Sequence, residues 1–452
     1  MIKLLKSLWG RFLFRDRGIV PTKKLVLLFT LLSLILLLGT RWVLPWSFVI
    51  LANIAILLFS LFDLFFTPKK QQITVKRSIS NEMERGITYK VAIDIVNSSI
   101  YDTRLRIIDG LPQSFDRPFP LTGMIKKESG SKISYETKAP TRGLYSVEKI
   151  YIRYRSMAGL WEKQISFSIK NSVKVIPDMT ETKQFLENAQ KFLNYDGVMV
   201  RKHKSGVGEF AKIRSYVVGD DPRKINWRQT AKLQEVMTNE YEPEHGKYIT
   251  VLIDCGRMMG AELKHGNRLE KSIEAALTVT AAALQKGDYV AVLAFSKKVK
   301  VFIPPAKGLV HLQTILHAIY NLEVEAAESN YGEVLHYLQL VQKKRSLILL
   351  FSDIQTFLYE ENALVYLKRL RQRHMFLMIG VEDEALLSRG KMEPENVQQA
   401  MIKSMAQQQI MVKKREKIKW EKQGLLMVEA REEKLATAAV SYYIDMINRG
   451  LL

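Results

Sequence analysis

Two long apolar runs stand near the start of the chain. Leu25 to Thr40 and Trp46 to Phe66 are almost wholly apolar, and at about 1.5 Å per helical residue each spans or nearly spans a ~30 Å hydrocarbon layer. The link between them is short and carries Pro45 flanked by Trp42 and Trp46, which suits a tight turn with interfacial aromatics. The pattern predicts a transmembrane helical hairpin over residues 25–66. Within residues 1–24, Ile2, Leu5, Leu8, Trp9, Phe12 and Leu13 alternate with Lys3, Lys6, Arg11 and Arg15, as in a basic amphipathic segment lying on anionic lipid. The long basic lead and the second apolar run argue against a cleaved signal peptide.

The texture changes over residues 71–177. Short segments rich in β-branched and aromatic residues, such as Tyr89 to Val96, Lys132 to Thr137 and Ile150 to Tyr154, are punctuated by Asn97-Ser-Ser, Asp109-Gly-Leu-Pro, Gly123, Pro140 and Gly159. This spacing predicts an antiparallel β-sandwich. No catalytic constellation stands out in it.

Residues 247–452 alternate between strand-like and helix-like periods. Strands are expected at Tyr248–Cys255, Tyr289–Ser296, Val299–Ile303, Ser346–Asp353 and Met375–Val381, with helices between them. A helical insertion is expected near residues 386–424, before a last strand and helix. The prediction is an α/β doubly wound sheet. Two of its strands finish in an acid, Asp254 and Asp353, and open α/β sheets bind ligands at the carboxyl edge of their strands.

Charge changes the picture at the membrane end. Of a formal net charge of +22, residues 1–77 hold twelve Lys and Arg against Asp16 and Asp63. The basic residues crowd the outer flanks of the hairpin with only Arg41 in its turn, so the positive-inside rule predicts a multi-pass cell-membrane protein with cytoplasmic termini. With so much of the excess beside the membrane, nucleic acid is not an expected partner. A single cysteine, Cys255, excludes an intramolecular disulfide, and its place at a strand end marks it as a buried filler.

Residues 178–246 read as a linker with a helix from Thr180 to Asn194, a basic run Arg201 to Lys204 and a dense motif region. Gly208-Glu209-Phe210, Arg214-Ser-Tyr216, Gly219-Asp220-Asp221 and Asn226-Trp227 follow one another closely. Glycines permit turns closed to other residues, and Arg214, Arg223 and Arg228 are counter-charges for the paired carboxylates. Glu209, Arg214, Tyr216, Asp220, Asp221 and Trp227 therefore form either a partner-binding site, with Trp227 anchoring the following helix, or a salt-bridged structural clasp. A third possibility is a membrane-bound hydrolase using the carboxylates of the 209–221 loop, with His203 nearby, although neighbouring acids in one turn rarely aim at one bond.

The region from Tyr248 onward resembles the von Willebrand factor A-like fold. That resemblance implies a metal-ion-dependent adhesion site: an Asp-x-Ser-x-Ser loop, a Thr before a central helix, and an Asp after a later strand, together holding Mg²⁺ by hard oxygen ligands. Here Asp254 and Asp353 match and Ser329 or Asn330 stands near the Thr position, but Gly256 and Met258 replace the two Ser residues. The retained candidates are Asp254, Ser329 and Asp353; without the hydroxyls, no cofactor is the main expectation. Asp254 has two further options, capping a helix or pairing with Arg257.

With the upstream motifs and paired apolar runs, residues 25–452 resemble domain-of-unknown-function family 58, most specifically between Gly206 and Met259. The resemblance implies a bacterial or archaeal membrane-tethered protein, no known catalytic activity, and association with a MoxR-type AAA+ ATPase. The expected function is a cytoplasm-facing scaffold or adaptor that binds the lipid bilayer and a protein partner.

Overall fold

Strand pairing divides the chain into a β-rich N-terminal region and an α/β C-terminal region, and the computed structural model splits into two compact units between Ile176 and Pro177. It describes residues 18–39, 45–155, 158–195, 209–242 and 246–448. Residues 1–17 of the amphipathic segment expected over 1–24, and the basic run 201–204, lie outside the described residues.

In the first unit the chain runs β1 (Gly18–Pro21), α1 (Lys23–Gly39), α2 (Trp46–Phe62), β2 (Ile73–Ser78), β3 (Glu82–Glu84), β4 (Thr88–Asn97), β5 (Thr103–Asp109), β6 (Leu121–Ile125), β7 (Ser129–Lys138), β8 (Gly143–Arg155) and β9 (Trp161–Ile176). One sheet has the order β1-β9-β8-β5-β6 with β3 on β9, and a second has β2-β4-β7. All pairs are antiparallel except β3 with β9, which is parallel. Val91, Ile93 and Ile95 of β4 share one buried cluster with Ile107 of β5 and Ile150 and Ile152 of β8, so alternate residues of both sheets face a common core. Inside it, Arg77 donates to Asp109 from Nε at 3.0 Å and from Nη2 at 2.5 Å, and Tyr135 donates to Asp109 Oδ2 at 2.7 Å.

The two apolar helices leave this unit and return to it. β1, which the hydrophobic pattern assigns to the amphipathic segment, pairs with β9 and leads into α1. Thr22 donates to the Gly159 carbonyl at 2.7 Å, Trp161 donates to the Ser60 carbonyl at 2.9 Å, and Asp63 accepts from the Ala158 and Leu160 amides at 3.2 Å. The turn before β9 thus grips the feet of both helices. Between the helices, Ser33 donates to Asn53 at 2.6 Å. The helical stretch Trp46–Gln72 is long and apolar enough to cross a membrane, the one such stretch among the described residues. Of the predicted paired crossing, the described residues supply this one stretch.

The second unit continues with α3 (Thr180–Tyr195), β10 (Glu209–Ser215), α4 (Trp227–Leu233), β11 (Met237–Glu242), β12 (Tyr248–Asp254), β13 (Glu262–Leu263), β14 (Gly266–Asn267), α5 (Arg268–Gln285), β15 (Tyr289–Phe295), β16 (Val299–Ala306), α6 (Leu309–Ile319) and α7 (Tyr331–Val341). It ends with β17 (Ser346–Phe351), α8 (Ile354–Leu358), α9 (Glu361–Arg371), β18 (Met375–Val381), α10 (Glu384–Lys391), α11 (Val397–Lys422), β19 (Leu426–Ala430) and α12 (Leu435–Asn448). The main sheet has the order β16-β15-β12-β17-β18-β19, parallel except for β16. Every residue of β17 is buried, because helices cover both faces of the sheet. The order reverses direction between β12 and β17, and at such a switch point the strand ends form a crevice. Cys255 is fully buried there.

Candidate functional site

Residues 209–242, expected as linker, form a small module of their own. β10 and β11 pair antiparallel, and the turn after β10 is closed by the Asp220 amide donating to the Val217 carbonyl at 2.9 Å. Gly219 takes φ +109° at the third position of this turn, a conformation that favours glycine. Arg214 clamps Asp220 with two parallel bonds of 2.8 Å, a bidentate geometry that fixes orientation as well as charge. Asp220 also accepts from the Val217 amide at 3.0 Å, and Tyr216 donates to the Asp220 carbonyl at 3.1 Å.

Asp221 caps the next short turn by accepting from the Arg223 amide at 3.0 Å, and Asn226 caps α4 by accepting from the Gln229 amide at 3.1 Å. The structure therefore brings Arg214, Tyr216 and Asp220 into one clasp and gives Asp221 a separate capping task. Glu209 begins β10, and its side chain lies outside the described residues. The two adjacent acids thus have separate partners, Arg214 for Asp220 and the Arg223 amide for Asp221.

What the clasp displays is apolar. Val218, at the corner of the turn, is 97% exposed and Trp227 is 69% exposed; Val217, Leu233 and Val236 are exposed as well. Trp227 is thus the first residue of α4 with its ring in solvent, not the packed anchor that the motif suggests. The Tyr216 amide donates to the Val236 carbonyl at 2.7 Å and the Asn226 amide to the Met237 carbonyl at 2.8 Å, so the segments bearing these side chains are stitched together by backbone bonds.

The second group lies at the switch point. Asp254, 2% exposed, accepts from the Gly256 amide at 2.8 Å, from Tyr331 at 3.0 Å, from Ser352 at 2.5 Å and from Ser329. Burial pushes its carboxyl above the usual range, and the four hydrogen bonds pull it part of the way back. Burial and the facing Asp254 carboxylate together hold the Tyr331 phenol well above its ordinary value, so Tyr331 stays a donor. Arg257 takes no part: it pairs with Glu328 at 3.2 Å on the surface.

Asp353 is engaged differently. One oxygen caps α8, accepting from the Thr356 amide at 2.9 Å and its hydroxyl at 2.7 Å, while the other accepts from Arg268 Nη1 at 2.5 Å. Arg268 also reaches Asp383 at 3.4 Å. A guanidinium at the first position of α5 opposes the helix dipole, and two carboxylates offset that cost.

The adhesion-type Mg²⁺ does not fit these residues. Both oxygens of Asp254 and of Asp353 already accept from protein donors, and a guanidinium stands against Asp353. A Cβ on Gly256 would lie 2.0 Å from Ser329 Oγ, so the Ser329 hydroxyl fills the space that the first Ser of the motif requires. Met258 supplies no hard oxygen. Among the described residues no group of three or more His, Cys, Asp or Glu is placed to hold a metal.

Sequence reasoning missed Arg268, Tyr331 and Ser352. Tyr331 follows Asn330 and Ser352 precedes Asp353 in the chain, and a hydroxyl beside an expected ligand is a usable signal. Arg268 lies 85 residues from its acid, and nothing in local spacing marks it. Val217 and Val218 carry a signal that was passed over: two β-branched residues in a polar turn.

The chain is 23% identical over 200 residues to the uncharacterized protein YeaD of Bacillus subtilis, covering 43% of this chain and 47% of that one, so it spans about half the length of that relative. Among solved structures, the conserved hypothetical protein BatB from Bacteroides thetaiotaomicron is 11% identical, with 45% of this chain and all of that chain covered at a TM-score of 0.29. The ASH/PapD-like domain of human CEP192 is 12% identical, with 24% and 89% covered at a TM-score of 0.18. The sequence model of the family described as protein of unknown function DUF58 matches residues 212–422, which include β10 from Lys212, the Arg214–Asp220 clasp, and the switch point.

Proposed function

We propose that this chain is a membrane-anchored, cytoplasm-facing scaffold that presents its 209–242 module to a protein partner, a AAA+ ATPase of the MoxR type. The observation that carries this reading is the Val218 and Trp227 surface: large apolar side chains held in water on a turn whose geometry is locked by the Arg214–Asp220 pair. A rigid frame with an exposed tryptophan is the composition of an interface anchor, because little ordering entropy remains to be lost on binding. The clasp and the docking surface are then one device: the charges shape the turn and the apolar side chains make the contact.

The von Willebrand factor A-like reading of the second unit is supported by its strand order and by Asp254 and Asp353 at one edge. In this proposal the domain works without a metal, its edge held by Arg268 and the hydroxyl cluster. The α1–α2 pair forms the anchor, crossing twice, with both chain termini on the cytoplasmic side. Support comes from the exposed apolar faces of both helices and from their return to the same β unit.

A photo-crosslinking amino acid placed at 218 or 227 in native membranes tests the docking surface. Adducts with a AAA+ ATPase are expected from both positions and not from Leu144, an equally apolar position that is 61% exposed in the first unit. Identical adduct patterns from all three would remove the assignment.

A further inference from the structure

A pocket of about 890 Å³ opens at the foot of the helical pair, within the size range of small-ligand sites. Its walls come from the residues that flank the two helices: Ile19 just before α1, Pro68 to Gln71 just after α2, and the start of β9. Tyr154, Ile165 and Phe167 give it an apolar floor, and Lys69, Lys70 and Lys163 bring three positive charges with no carboxylate among the lining residues.

Two of the lysines are held in place. Lys70 Nζ donates to the Ser166 carbonyl at 2.9 Å and stands 5.5 Å from the centre of the Phe167 ring, and Lys163 Nζ donates to the Leu64 carbonyl at 3.3 Å. Each ammonium has three protons to give, so each keeps donors for an anion. Tyr154 is tied to the Pro68 carbonyl at 2.9 Å, which fixes the floor to the wall. Burial pushes the Lys163 ammonium below its ordinary value, a cost that a bound anion relieves. Around the same foot, Phe65 is 76% and Phe62 58% exposed, side chains suited to the bilayer boundary.

We propose that this pocket holds the phosphate headgroup and first acyl carbons of one anionic phospholipid drawn from the adjoining leaflet. The inference rests on the membrane-anchored reading, which supplies the lipid. An apolar floor beneath a basic rim matches the order of groups in a phospholipid at the depth where a helix leaves the bilayer. A soluble acidic peptide would satisfy the rim and leave the floor unused.

The test uses the full-length protein in mild detergent, offered equimolar phosphatidylglycerol and phosphatidylcholine and weighed by native mass spectrometry. One retained phosphatidylglycerol is expected. The variant Lys69→Gln/Lys70→Gln/Lys163→Gln is expected to retain it at least about tenfold less, with an unchanged melting temperature. The variant Lys90→Gln/Lys132→Gln/Lys170→Gln, which removes three exposed lysines elsewhere in the same unit, should behave as wild type. Equal retention of phosphatidylcholine, retention by the pocket variant, or displacement of the lipid by millimolar inorganic phosphate would overturn the proposal. Alkaline carbonate extraction of native membranes separates the two readings. Protein that stays in the pellet yet holds no phosphatidylglycerol loses the pocket assignment alone, whereas protein released to the supernatant loses the anchor and the lipid site together.

Discussion

Replacing Asp109 by Ala in the full-length protein is expected to destabilise the first unit by about 3–5 kcal/mol, because it leaves the Arg77 guanidinium buried without its counter-charge. Both side chains are fully inaccessible. Arg77 spends its remaining donors on the carbonyls of Val147, Ile169 and Lys149 and on Asn171, so it has no route to water. Tyr135 would lose its acceptor in the same step, and burial together with the facing Asp109 holds its phenol protonated. Urea unfolding followed by hydrogen exchange of the β4 and β8 amides reads this unit separately from the other, which a single global transition would not. The double variant Arg77→Met/Asp109→Leu should recover most of the loss, since removing both charges abolishes the desolvation penalty along with the pair. A loss under about 1 kcal/mol for Asp109→Ala would mean that the network is not a structural determinant.

Arg268→Met is expected to cost the second unit about 3–5 kcal/mol for the same reason. The Arg268 and Asp353 side chains are 10% and 7% exposed, and without the guanidinium the end of β17 carries an uncompensated acid beside the buried Asp254. The companion measurement is metal dependence. A site that bound Mg²⁺ at a hundredfold over its dissociation constant would gain about 2.7 kcal/mol, whereas the Arg268-held edge should show the same unfolding midpoint in Mg²⁺ and in EDTA. A Mg²⁺-dependent rise in the wild type, or an Arg268→Met variant as stable as the wild type, would contradict the guanidinium assignment.

The architecture was legible where one physical signal dominated. Near-continuous apolar runs such as Ile249 to Ile253 and Leu347 to Phe351 are what a parallel strand covered on both faces requires, and Asp254 and Asp353 follow them at the strand ends. Alternation in β4 and β8 revealed the β-rich unit. The β10–β11 ribbon escaped because Glu209, Lys212, Arg214 and Glu240 break its apolar alternation; its strands are specified by cross-strand backbone bonds and ion pairs such as Arg214 with Glu240 at 3.7 Å. β1 escaped because four residues are too few to show a period. Of the candidate site, the Arg214–Asp220 pair was accessible as local counter-charges, but the role of Trp227 was not, since exposure is a property of the fold. The metal question turned on Gly256 and Met258, visible in the chain, while its structural answer, the Ser329 hydroxyl in the vacated space and Arg268 on Asp353, depends on contacts between distant segments.

The docking surface is tested most directly by affinity capture of the full-length protein from native membranes, with and without ATP. The comparison is between wild type and the variant Val218→Asp/Trp227→Ala. Both side chains are solvent-exposed, so the variant should keep the wild-type unfolding midpoint to within about 0.5 kcal/mol. Recovery of a AAA+ ATPase with the wild type, dependent on ATP and lost at least about tenfold in the folded variant, is the expected result. Equal recovery by both proteins, or no AAA+ ATPase with either, would contradict the assignment of this surface as the docking site.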